Sequence, residues 1–354
     1  MAEPKILEQK CPNCDAAMVY NPTLNKLECE YCGTTIAIPE EDLVQSTSSR
    51  KEKDQALEEI KPLPVYNCLS CGAEVLVSQE TGALTCPFCQ NNIVLTQQFS
   101  GTIKPDGIIP FKITPETLSK EVQNFYKDKP LLSKTFFSES KMGKVTGIYV
   151  PFWVFDCEVN GALSYNGTKP GASYRRGDYI ISETQHYILE RNISVNFANL
   201  ALDASEKLND DLMDSVCPYR FEELKPFDIR YLAGYVADRF DKTSQELQKR
   251  NDQRVLKSAS QAAIGKTTFG YGNVSLRENQ LKAHMEKAKY VLLPMYLFHV
   301  DFHGKSYEFA VNGQTGKVVG NLPRDTSVET MYFLKRFILA FLFMAILIFV
   351  FFVW

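Results

Sequence analysis

The sequence predicts an α+β fold, with small cysteine-built modules in front of it and one apolar helix behind it. Three observations carry that prediction. Eight of the ten cysteines fall into two identical sets. From about residue 100, segments rich in aromatic and β-branched residues alternate with amphipathic helical ones. From Phe337 to Trp354 no side chain is polar. With 354 residues, 45% of them hydrophobic and 23% charged, the chain has the composition of a folded soluble protein of two or three domains. That composition excludes a mainly disordered, collagenous or polytopic membrane chain.

The first cysteine set is Cys11, Cys14, Cys29 and Cys32, and the second is Cys68, Cys71, Cys86 and Cys89. Each reads C-x2-C-x14-C-x2-C, so the second set repeats the first at one constant offset, from Cys11 to Cys68. Two thiolates three positions apart chelate one side of a tetrahedral ion from a tight turn, and a hairpin returns a second pair to close it. Gly33 and Gly72 follow cysteines directly, where such turns often need positive φ. The segments MVY and LE, then EVLV and ALT, read as short strands. The pattern is that of two zinc ribbons, each with a structural Zn²⁺ held by four cysteines. All four positions are filled by sulfur, so neither site keeps one open for catalysis. Cys157 and Cys217 stand alone and read as buried structural thiols.

Charge weighs against nucleic acid as the ribbons' partner. Residues 1–100 carry 14 acidic and seven basic side chains, a balance of −7, which two tetrathiolate zinc sites make more negative. A phosphate-binding face draws its affinity from Lys and Arg displacing counterions. The ribbons therefore read as protein-contact modules. The polar stretch between them predicts a flexible linker with a short helix near 54–60, which leaves the ribbons as separate heads.

The larger domain hides a second duplication. Pro151–Phe155 with Gly161 recurs as Pro294–Phe298 with Gly304, at the same internal spacing, and each copy reads as strand, turn, strand. Asn312-Gly313 and Thr315-Gly316 mark a hairpin loop. More strand signal lies at His186–Phe197, and Asn273–Tyr290 is ambiguous between helix and strand. Thr114-Pro115-Glu116 starts a helix with Leu118, Val122, Phe125 and Tyr126 on one face. Asp203–Glu206 resembles a capping box ahead of Leu208, Leu212 and Val216. A long polar helix is expected from Thr243 to Ile264.

Three features invite a functional reading and support a plainer one. Ser260–Thr267 resembles a phosphate loop without its first glycine, but it follows a helix where a strand is required. His299, Asp301 and His303 alternate on an expected strand, as solvent-face polar residues commonly do. Lys249, Arg250, Arg254 and Lys257 make a basic helix suited either to solvent or to lipid headgroups. No enzymatic motif emerges, although active sites need not show local motifs.

At about 1.5 Å per residue the final apolar run spans roughly 27 Å, close to a bilayer core. Lys335 and Arg336 precede it and favour a cytoplasmic N-terminal side. No signal-peptide pattern opens the sequence. The expected organisation is zinc ribbon 1 over 1–39, a charged linker over 40–62 and zinc ribbon 2 over 63–99. A membrane-proximal α+β domain then spans 100–325 and a C-terminal transmembrane anchor spans 332–354.

Taken together, the tandem ribbons, YVPFWVFD, FAVNGQTGKVVG and the apolar tail resemble a bacterial family of tail-anchored double zinc-ribbon membrane proteins. These are the YdjG-like proteins, often called TFIIB-type zinc ribbon-containing. The resemblance implies zinc on the eight cysteines, no established catalytic residue, and a protein partner at the inner face of the cell membrane. It implies that this partner is of the SPFH (flotillin-like) or phage-shock type. The expectation is thus a non-enzymatic, tail-anchored adaptor. Its rivals are a membrane-tethered nucleic-acid module and an enzyme seated in the 100–325 domain.

Overall fold

The computed structural model describes residues 10–39, strand residues 65–67, 74–76, 81–85 and 92–94, and residues 104–127, 129–132, 136 and 141–142. It further describes 145–267, 269–323 and 326–353. The expected linker helix lies outside these residues.

The centre is an antiparallel pair, β10 (Thr146–Arg176) and β15 (Lys282–Phe302), paired from Thr146 opposite Leu297 to Asn160 opposite Lys282 with one register shift between Asp156 and Cys157. β11 (Tyr179–Asp203) flanks β10 on its other side. Both faces of the central strands are covered, so their sequence is continuously apolar rather than alternating. Tyr149, Trp153 and Phe155 face one core with Tyr290, Leu292, Tyr296 and Phe298. Val150, Phe152 and Val154 face the other with Val291, Leu293 and Met295.

Helix α1 (Pro115–Lys127) seals the first core with Leu118, Val122 and Tyr126, as its spacing predicts. Thr114 and Thr117 cap it reciprocally through hydroxyl and backbone N–H groups. Helix α2 (Asp210–Val216) seals the second core with Met213 and Val216. Its N-cap is Asn209, whose side-chain oxygen accepts from the N–H groups of Asp211 and Leu212. The expected cap at Asp203 is displaced because β11 runs on to that residue, whose carboxylate accepts from Ser205 N at 3.1 Å instead.

The two repeated segments lie side by side on the paired strands. The second behaves as predicted: β15 turns at His303 and Gly304, both at positive φ, into β16 (Lys305–Asn312). The first does not. Gly161 stays inside β10 at φ +140, where a side chain would collide with the Gln280 carbonyl. The glycine lets the loop between β14 (Gly272–Asn279) and β15 cross at contact distance, with Gln280 N donating to Ala162 O at 3.0 Å. β10 then continues as a hairpin arm with β11, turning at Gly177. Asn273–Tyr290 resolves into strand on both sides of the 280–281 loop.

Helix α3 (Ser244–Thr267) lies on one face of this arm, with Val255, Ala259 and Ala263 against Leu163, Tyr165 and Leu189. Thr243 and Glu246 form its capping box. The Ser260–Thr267 segment is inside this helix, so no phosphate loop exists there. The basic residues of α3 are largely answered locally. Arg250 pairs with Asp210 at 2.6 Å and Asp214 at 2.7 Å, and Arg254 pairs with Asp214 at 3.2 Å. Those pairs dock α3 on α2, while Lys249 and Lys257 face solvent. His299 and Asp301 are exposed on β15, and His303 is in the turn rather than on the strand.

The predicted 312–317 hairpin loop joins β16 to β17 (Val318–Gly320) and ties down a distant segment. Buried Asn312 donates to the carbonyls of Val216 (3.2 Å) and Pro218 (3.3 Å), and accepts from Gln314 N and Thr315 N. Gln314 clasps Arg220 through both its backbone groups. Beyond the domain lies α4 (Thr326–Val353), which contains an 18-residue window of mean hydropathy 2.1 with none of it buried. It is long and apolar enough to cross a membrane.

Two outcomes follow. Asn312→Ala should destabilise the domain by about 2–4 kcal/mol, read by denaturant titration, because four groups lose a buried partner. Burial pushes the Asp203 carboxyl up to about 7, against the pull of the Ser205 N–H. Its folded value is above its unfolded one, so its contribution is complete below about pH 4 and is lost as pH rises through 7. Melting temperature should show that decline in the parent chain, and Asp203→Asn should flatten it.

Candidate metal centre

The first cysteine set is built on a three-stranded sheet of β1 (Met18–Asn21), β2 (Lys26–Cys29) and β3 (Thr35–Ala37), ordered β1-β2-β3. Met18, Tyr20 and Leu27 alternate inward on the β1–β2 hairpin and are buried. The two C-x2-C turns adopt the same backbone. Cys11 N donates to Ala16 O and Cys29 N to Thr34 O. Asp15 N donates to Cys11 O and Gly33 N to Cys29 O. The closing residues Asp15 and Gly33 are both left-handed, at φ +60 and +72. Gly33 is therefore where the sequence requires it.

These turns bring all four sulfurs within 4.8 Å of one another. The separations are 3.4 Å for Cys11–Cys32, 3.5 Å for Cys14–Cys29 and 3.4 Å for Cys14–Cys32. A disulfide requires about 2.0 Å, and all four thiols are free. Four sulfurs each about 2.3 Å from a tetrahedral ion would stand roughly 3.8 Å apart, so the tetrad fits a metal ion. The thiols share charge unequally. Although burial raises it, Cys11 is brought down to about 6 by backbone N–H groups of Asn13 and Cys14, the Cys32 thiol and the Thr34 hydroxyl. The Thr34 hydroxyl and backbone also hold Cys32 low. The Ala16 backbone lowers Cys14, but desolvation and its three sulfur neighbours push it up to about 12. A cation at the centre removes the repulsion that keeps the last thiol protonated.

The hairpin does not stand free. Tyr20 N donates to Ala233 O at 2.9 Å, and the Tyr20 ring meets Tyr231 edge-on at 5.2 Å. Gly234, at φ +91, passes Val19 so closely that a Cβ there would lie 3.1 Å from it. Met18, Tyr20, Leu27 and Cys29 thereby join the main core. The expectation of freely hinged heads is corrected for this module. The sequence signal was present in the inward Met18–Tyr20 alternation, but the receiving carbonyl of Ala233, far along the chain, left no local trace.

Cys68, Cys71, Cys86 and Cys89 lie outside the described residues. Among the described residues around them, two pairings of the first module recur at the offset that separates the two cysteine sets. The Lys10–Ala17 bridge recurs as Asn67 opposite Glu74, between β4 (Val65–Asn67) and β5 (Glu74–Leu76). The β2–β3 register of Lys26–Ala37, Leu27–Ile36 and Glu28–Thr35 recurs as Ala83–Val94, Leu84–Ile93 and Thr85–Asn92. The latter joins β6 (Thr81–Thr85) to β7 (Asn92–Val94). β6 also pairs with β13 (Val236–Asp238) through Ala83 and Ala237. Both modules thus meet the one short segment 231–238.

Cys157 is buried, and Cys217 is half-buried with its thiol donating to Met213 O and pushed up to about 11 by burial. Neither approaches the tetrad in chemistry, and both fit structural thiols.

Fold and site together define a class: a mixed α+β protein with a metal-competent four-cysteine module docked at its N-terminal side and a bilayer-length apolar helix at its C-terminal end. The chain is 35% identical over 321 residues to the uncharacterized protein YdjG of Bacillus subtilis (strain 168), covering 90% of each. It belongs to the YdjG family. No protein-family model matches the chain, nor does any solved structure.

Gly234→Val should release the cysteine module from the domain without touching a ligand. Limited proteolysis is expected to cut between residues 10 and 39 at least tenfold faster, with the tetrad's metal content unchanged.

Proposed function

We propose that this protein is a tail-anchored adaptor whose cysteine modules are zinc ribbons and contact a partner protein. The observation that carries the reading is the closed tetrad. Four mutually adjacent sulfurs saturate a tetrahedral ion, so the ion folds and stiffens the module and leaves no open position for substrate. What the module presents is a surface. Tyr31, between Cys29 and Cys32, is 85% exposed and projects from the second turn. Rigidly held aromatic side chains of this kind anchor protein interfaces. Phe88 occupies the matching position in the second C-x2-C of the other cysteine set.

The rest of the chain serves that surface. The α+β domain fixes both modules along 231–238, and α4 holds the assembly in the cell membrane with the N-terminal bulk in the cytoplasm. The acidic balance of residues 1–100 favours a protein over a phosphate backbone. By family resemblance the partner is an SPFH or phage-shock-type membrane protein.

The test is cross-linking capture from membranes with three full-length chains. The parent should capture a defined membrane-associated protein. Tyr31→Ala together with Phe88→Ala should reduce that capture at least tenfold while zinc content stays at the parent value. Replacing all eight ribbon cysteines by serine should abolish both. Equal capture by all three chains would contradict the ribbons as the contact, and capture of DNA or RNA instead would contradict a protein partner.

A further inference from the structure

The hairpin arm ends the sheet on an open edge. β11 is 25 residues long and pairs with β10 on one side only. Among the described residues no strand pairs with its other side. Long edge strands normally carry devices against pairing: proline, lysine, or a glycine bulge that turns the edge away. Residues 179–203 contain no proline, lysine or glycine and are rich in isoleucine, leucine and valine, and the strand's own bulge, between Phe197 and Leu200 with Asn199 at φ +55, lies at its far end. Helix α3 packs on the face of the arm carrying Leu189, and the opposite face, carrying His186, Ile188 and Glu190, is exposed. Ile188 itself is 58% exposed.

We infer that this edge pairs with the same edge of a second copy of the chain, making one continuous sheet across a two-fold axis. Parity restricts the registers. A two-fold that joins two antiparallel strands runs perpendicular to the sheet and keeps each face on its own side. Opposed residues must therefore share parity, and one residue faces its own copy. Placing Ile188 on the axis sets the exposed isoleucine against itself. His186 then faces Glu190 of the second copy, and Glu190 faces His186, which puts imidazole N–H groups opposite carboxylates on both sides of the axis. On the other face Glu183 stands diagonal to Arg191 of the second copy, and Arg191 to Glu183, within reach of long side chains. Moving the axis to Glu190 or to Arg191 would oppose like charges at the centre. The complementarity selects Ile188 and a second copy over an unrelated strand.

The test uses the full-length chain in detergent micelles. Across the axis the two Cα atoms at 188 stand about 4.5–5.5 Å apart, within disulfide range. Ile188→Cys should form a covalent dimer on mild oxidation, beyond any background of the parent chain. Asn196→Cys should not, because two copies of that residue are about 50 Å apart at roughly 3.3 Å per position. Ile188→Lys should convert dimer to monomer by light scattering, with the circular dichroism spectrum unchanged because the side chain is solvent-exposed in the single chain. A monomeric parent chain, equal cross-linking at 188 and 196, or a foreign protein bound in place of the second copy would each overturn the inference.

Discussion

Everything in this molecule is laid on the pairing of β10 with β15. Those strands are buried on both faces, so their register fixes two cores at once, and several peripheral segments are positioned by a contact to one of them. The Pro294 carbonyl receives both Gly313 N and the Tyr219 hydroxyl, which sets the 312–317 loop and the 217–223 segment. The Trp153 indole donates to Lys242 O, which sets the start of α3. Tyr149 and Tyr235 meet Phe111, whose ring lies parallel to Tyr235 at 4.1 Å, and this aromatic group holds the 231–238 segment that receives the cysteine modules.

Local chemistry was legible in the sequence where it is self-contained. The C-x2-C turns need only their own backbone, and Gly33 marks one of them. Helix α1 shows its buried face at three- and four-residue spacing. The Asn312–Gly316 loop is read from turn residues alone, although its Asn312 clasp on Val216 and Pro218 reaches far along the chain and is not. Failures occurred where a distant element decides. Gly161 resembles a turn glycine, yet it is retained in mid-strand because the 280–281 loop crosses it. Asp203 resembles a helix cap, yet the β10–β11 ladder claims it. On α3 the sequence shows four basic residues alike, and only the aspartates of α2 single out Arg250 and Arg254 from the exposed Lys249 and Lys257.

The same logic separates the two ends of the chain. The tetrad gains its order from short-range turns, but its module gains its place from a backbone bond and a glycine contact at 233–234, the Tyr20–Tyr231 ring pair and shared core packing. The apolar helix is not packed into the domain along its apolar window, none of which is buried. The four-cysteine module carries the exposed Tyr31 in its second turn and is docked against the α+β domain at 231–234.

X-ray absorption at the zinc edge on the full-length chain, with metal quantified per chain, tests this account most directly. The account requires two zinc ions per chain, each with four sulfur neighbours near about 2.3 Å and no light-atom ligand. A shell containing oxygen or nitrogen would mean an open position available to substrate. A chain purified without metal and still folded over residues 10–39 would remove the metal from the account altogether.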